Sequence, residues 1–237
     1  MKATQGSSNY KPIPLPKPST VFARCYSVID IGTVPQMFNG EKQNDARMIH
    51  VTWELPGLLG VFNEEKGKQP FVISKEFRAS TKSNSNLAQL ISTWRNKAFT
   101  AEEEAGFDPS VMIGKTCFIS FVHATKVKFR GKDIAQVTNE NTVMKLNGIM
   151  PVPEGVAVMP AINPYFNWDW DAVATKGFNK EEFEKIPRFV QAKMATSQEF
   201  SKYAGGYNVA GGSYDNDDSS DTEDEKTPDA PAVEGNW

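Results

Sequence analysis

A mainly β, α+β fold is predicted by three features of this 237-residue chain. Runs rich in β-branched and aromatic residues recur through its first 138 residues, turn signals separate them, and one stretch of helical periodicity interrupts them after the third run. Residues 1–19 precede the first run and read as an extended arm, with prolines at 13, 15 and 18. Thr20–Ile31 (TVFARCYSVIDI) is the first predicted strand, and the polar stretch 32–46 after it, with its Asn39-Gly40 turn signal, reads as a loop. Arg47–Leu55 (RMIHVTWEL) alternates. Ile49, Val51, Trp53 and Leu55 share the face expected in the core, and Met48, His50, Thr52 and Glu54 share the face expected in water. Residues 56–69 read as a second loop and Pro70–Ala79 as the third strand.

The period then changes. Asn86–Phe99 spaces Leu87, Leu90, Ile91 and Trp94 as a helix does, with Ser83, Asn84 or Ser85 as its N-cap. Thr100 followed by Glu103 is a capping box that predicts a second, short helix. Lys115–Thr125 is the fourth predicted strand and Asp133–Thr138 the fifth, with the basic loop KVKFRGK (126–132) between them. The Pro-rich region 139–179 carries the aromatics Tyr165, Phe166, Trp168 and Trp170, expected to pack an extension onto the body. Residues 179–203 read as one or two helices with the stripe Phe183, Ile186, Phe189, Val190 and Met194, interrupted by Pro187.

Strand, strand, strand, helix, strand, strand is the order of an OB-fold, a small, partly open five-stranded barrel with a helix between strands three and four. Such barrels bind nucleic acid or sugar across strands two and three and between the loops joining strands 1–2 and 4–5. The predicted organisation is therefore an arm (1–19), an OB-type domain (20–138), a Pro-rich and helical extension packed on it (139–204) and a tail (205–237).

The 4–5 loop is the most suggestive of these places. Lys126, Lys128, Arg130 and Lys132 surround Phe129, so cations for phosphates flank an aromatic face on which a base can stack. Arg47, His50 and Arg78 are expected to border the same groove, with Phe38 and Lys42 in the 1–2 loop and Tyr26 on the first strand. Trp53 and Trp94 are expected in the core.

Charge divides the chain. Residues 205–237 carry nine acidic groups against Lys226, a net of −8, whereas the whole chain is −3, so residues 1–204 carry +5. Few apolar groups and high like charge predict a disordered tail on a glycine tether. Asp217, Asp218, Asp221, Glu223, Asp224 and Glu225 form its acidic block, and Trp237 is an aromatic handle for a partner's apolar, basic pocket. The same polyanion is expected to compete with nucleic acid for the basic body.

No nucleophile–base pair, phosphate loop or metal-ligand spacing is legible, so a binding protein without cofactor is expected rather than an enzyme. Cys25 and Cys117 read as buried free thiols in a reducing compartment. No apolar run of membrane-spanning length and no signal-type N-terminus is seen, and the expected location is the cytoplasm.

In the order and spacing of FARCYSVIDIGT (22–33), the FNGEK loop (38–42), VTWELP (51–56), FVISKEF (71–77), SNLAQLISTWRNKAFT (85–100), FDPSVMIGKTCFISFVHAT (107–125) and IPRFVQAKMATSQEF (186–200), the chain resembles a family of single-stranded DNA-binding proteins of tailed bacteriophages. The resemblance covers residues 20–203. It implies an OB-type body that coats unwound DNA in replication, recombination or repair, and an acidic tail that contacts replication or recombination proteins. It transfers no individual site residue. A homodimer through a free strand edge, an adaptor acting on host polymerase and a virion structural protein are the other expectations to be set against it.

Overall fold

The computed structural model describes residues 14–38, 41–129 and 137–209, with backbone alone at 38, 125–129 and 137–142. Five antiparallel strands form the body: β1 (Thr20–Phe38), β2 (Glu41–Asn63), β3 (Gly67–Arg78), β4 (Thr116–Phe129) and β5 (Val137–Met150), in the order β3-β2-β1-β4-β5. A short strand β6 (Phe166–Trp168) pairs parallel to β1 at Ser27–Ile29. Between β3 and β4 lie α1 (Asn86–Arg95), α2 (Ala101–Gly106) and a 3-10 turn (Pro109–Met112). After β6 come α3 (Trp170–Lys176), α4 (Lys180–Glu184), α5 (Arg188–Met194) and α6 (Gln198–Tyr203). This is an α+β architecture dominated by one antiparallel sheet. Of the expected partly open barrel, the structure shows the sheet without closure: β3 and β5 approach each other, but no ladder joins them among the described residues.

The helix predictions hold at their starts. Ser85 caps α1 by accepting the Ala88 amide, and Thr100 and Glu103 make the reciprocal capping box of α2. The 179–203 region is three helices rather than one or two, with Pro187 at the N-cap of α5.

The strands are longer than predicted. Residues 32–38 and 41–46, expected as a loop, continue β1 and β2, which leaves only Asn39 and Gly40 between them, outside the described residues. Most of 56–69, also expected as a loop, belongs to β2 and β3. Proline explains both errors. Pro35 sits where the β1–β2 register shifts between Val34 and Gln36, and Pro56 where the β2–β3 register shifts between Leu55 and Leu59. At these irregularities a ladder tolerates a residue without an N–H. The fifth strand was predicted at 133–138 and lies at 137–150. Asn147 is its extra residue opposite Ser120 and Phe121, which breaks the period of two that would have marked it.

Each face of the sheet covers a core. Under α1, Trp53 and Trp94 pack with Val51, Leu55, Leu87, Ile91, Ile119 and Phe121, and Trp94 donates from Nε1 to the Thr116 carbonyl (2.8 Å). On the other face, Ile29, Ile31, Val34 and Met48 pack against Trp168, Trp170, Phe183, Ile186, Val190 and Phe200 of the C-terminal extension. The aromatic cluster thus packs the extension as expected, with Tyr165 left exposed. Gly205–Val209, expected to begin the free tether, is part of this packing: Tyr207 lies against Phe178 and Phe183 and donates to Glu184 (3.1 Å). Residues 210–237, including Asp217, Asp218, Asp221, Glu223, Asp224, Glu225 and Trp237, lie outside the described residues.

The extension is fastened to β1 at a bulge. Gly32 has φ +93°, a conformation glycine adopts readily, and the following Thr33 donates from amide and hydroxyl to the Glu199 carboxylate (2.6 and 2.8 Å). A Cβ on Gly32 would stand 2.6 Å from Glu199 Oε2 and 2.9 Å from Ser197. Gly32→Ala is therefore expected to destabilise the protein by about 1–3 kcal/mol through backbone strain. Urea unfolding checks this, and a midpoint equal to that of the wild type would contradict it.

Candidate nucleic-acid interface

Strand register separates the predicted site residues into two groups. β2 runs antiparallel to β1 with Arg24 opposite Glu54, so the β1–β2 turn lies at the end where β1 finishes. β4 pairs with β1 only from Thr20–Ser120 to Arg24–Thr116 and then runs on past the start of β1. The β4–β5 hairpin therefore projects from the opposite end. Lys126, Lys128 and Phe129 lie on its β4 arm, where backbone alone is described, opposite Asn141, Asn139 and Val137. Arg130 and Lys132 lie outside the described residues. Phe38, Lys42, Arg47, His50 and Arg78 are all nearer the other end, so the structure does not bring the two groups together.

Arg47 is held by carboxylates of the chain itself. Its guanidinium donates to the Asp30 carboxylate (2.5 and 3.1 Å) and lies 3.2 Å from Asp171 and 4.0 Å from Asp169, at the start of α3. The hydrogen bond to Asp30, strengthened by the Asp171 charge, holds Arg47 protonated well above its ordinary range. It ties the sheet to the extension. His50 is only 4% exposed, under the edge of the Phe189 ring of α5, with Nδ1 3.7 Å from Glu76. Glu76 also accepts from Lys193 of α5. Burial alone would raise the Glu76 carboxyl, but His50 and Lys193 outweigh it and hold it below its usual value.

The whole face expected in water is buried. Met48 is covered by the apolar core of the extension, His50 by Phe189, and Glu54 by the Pro-rich segment; Thr52 is buried with them. Glu54 is the centre of this arrangement. It is 0% exposed, lies 3.5 Å from Arg24, and accepts the amides of Ile162 (3.1 Å) and Asn163 (2.7 Å). Arg24, 5% exposed, also donates to the Met159 carbonyl. The Arg24 charge is matched by Glu54 beneath the Pro-rich segment. Tyr26 beside it is half-buried, and burial, then the Glu54 charge, pushes its phenol up to about 12. Lys42 and Arg78 are exposed.

One feature at the β4–β5 end escaped the sequence reading. The β2–β3 hairpin projects from the same end of the sheet and exposes Leu59, Val61 and Phe62, with Lys66 and Lys68 beside its turn. The apolar run LLGVF, followed at once by a charged turn, was the available signal. Two hairpins thus leave the sheet at one end, one with Phe129 among four cations and one with Phe62 near Lys66 and Lys68, whose charge Glu64 and Glu65 balance.

Cys25 and Cys117 are buried free thiols. Burial pushes Cys25 up to about 12 and Cys117 in the same direction, so neither is a nucleophile near neutral pH. Asp169 and Asp171 face Arg47, and among the described residues no three His, Cys, Asp or Glu side chains are grouped to hold a metal. No described helix is long and apolar enough to cross a membrane. No family model, curated protein or solved structure matches the chain.

Proposed function

We propose that this protein binds single-stranded DNA without sequence preference and coats it where it is unwound, in phage replication, recombination or repair in the host cytoplasm. The strand order β3-β2-β1-β4-β5 is that of an OB-type barrel with its last seam left open, and we read the body as such. The binding surface differs from the usual one, because the extension occupies the face of β1 and β2. The strand instead follows the paired β2–β3 and β4–β5 hairpins. The observation that supports this reading is their common end: Phe62 with Lys66 and Lys68 on one, and Phe129 among Lys126, Lys128, Arg130 and Lys132 on the other. Cations on such a surface follow the phosphates, and the aromatics offer faces that every base can stack on. The protein acts by binding, not catalysis. Its tail serves as a competitor for the same cations and as a handle for replication or recombination proteins.

Fluorescence anisotropy with oligo(dT), for the full chain and a chain ending at residue 209, tests this. Binding should fall with salt at a log–log slope of about −0.7 per phosphate contacted. The shortened chain should bind more tightly at low salt and respond less to added magnesium. A full chain that ignores oligo(dT) at low salt would overturn the reading. Equal affinities would remove the competitor role alone.

A further inference from the structure

The bulge at Tyr26 and the turn before β4 lie side by side. The Gly114 amide donates to the Cys25 carbonyl (2.8 Å), and the Cys25 amide donates to the Lys115 carbonyl (3.0 Å). Tyr26 is the extra residue where the β1–β2 register shifts between Cys25 and Ser27. Onto this corner the Pro-rich segment brings a third group. Asn163 is fixed by its amide to Glu54, and two residues later the Tyr165 ring lies over Gly114, where a Cβ would meet it at 3.4 Å. Gly114 has φ +82°, a conformation suited to glycine.

Tyr165 is 55% exposed, although Trp168 and Trp170 just after it are buried. Packing of the extension does not account for an aromatic left in water. Lys115 is exposed beside it with no ion pair among the described residues. Glu54, the nearby carboxylate, is fully buried and matched by Arg24 and two amides.

We propose that Tyr165, with Tyr26 and Lys115 beside it, is a second subsite for an unpaired base of the nucleic-acid strand, the ring of Tyr165 stacking on the base and Lys115 meeting its phosphate. This rests on the single-strand-binding reading above. It extends the strand's path from the hairpins to the edge of the Pro-rich segment.

The test compares wild type, Tyr165→Leu and Tyr165→Phe in oligo(dT) titrations. Each protein is also photocross-linked to an oligonucleotide carrying 5-iododeoxyuridine, and the linked peptides are mapped. Tyr165→Leu should bind about fivefold or more weakly, as expected for the loss of one stacked base, and Tyr165→Phe should bind as the wild type does. Cross-links should include the peptide holding Tyr165. A wild type that binds, with Tyr165→Leu equal to it and no cross-link at that peptide, overturns the subsite and leaves the general function standing. A wild type that does not bind overturns both.

Discussion

Glu54→Ala should destabilise the protein by about 3–5 kcal/mol, the usual cost of leaving one partner of a buried ion pair unmatched. The loss has three parts. The Arg24 guanidinium is left charged and buried, with the Met159 carbonyl as its remaining polar partner, and the amides of Ile162 and Asn163 lose their acceptor. Glu54 itself is entirely covered. Urea unfolding of wild type, Glu54→Ala, Arg24→Met and the double variant would measure the coupling. The double variant should be less damaged than the sum of the singles, because it no longer buries an unpaired charge, but it should not recover fully while two amides stay unbonded. A single-variant loss below about 1 kcal/mol would show that the pair does not hold the Pro-rich segment.

Changing Lys126, Lys128, Arg130 and Lys132 together to Gln should remove most single-stranded DNA binding while leaving the fold intact. Lys126 and Lys128 lie on the arm of β4 that runs past its pairing with β1. If each cation meets one phosphate, the salt slope should fall by about 2.8, which is roughly 0.7 per contact. A lower affinity with an unchanged slope would point to lost shape rather than lost charge. An unchanged titration would return the hairpin to the role of a solvated tip.

Legibility followed the range of the interactions involved. Ser85, the Thr100–Glu103 box, the alternation of Ile49, Val51, Trp53 and Leu55, and the helical spacing of Leu87, Ile91 and Trp94 all act within a few residues, and each was readable. The long arms of β1 and β2 were not, because Pro35 and Pro56 look like breakers until a register shift gives them an unpaired place. The partners of Arg47 and His50 were not readable for a related reason. A cation and a histidine on a polar strand face look solvent-exposed, and nothing nearby in sequence announces Asp171, Phe189 or Lys193 as their neighbours.

By itself the sequence determined the class of the fold, the helix between strands three and four, the core face of β2 and the division of charge between body and tail. These depend on periodicity, capping and composition, which are local or additive. Tertiary structure alone decided that the sheet stays open, that its second face is covered by the chain's own C-terminal helices, and that the β2–β3 and β4–β5 hairpins leave from one end. Those outcomes depend on register and on partners more than a hundred residues apart, such as Glu54 with Asn163 and Thr33 with Glu199. A buried charge is stable only when its partner arrives, and that arrival is a property of the folded chain.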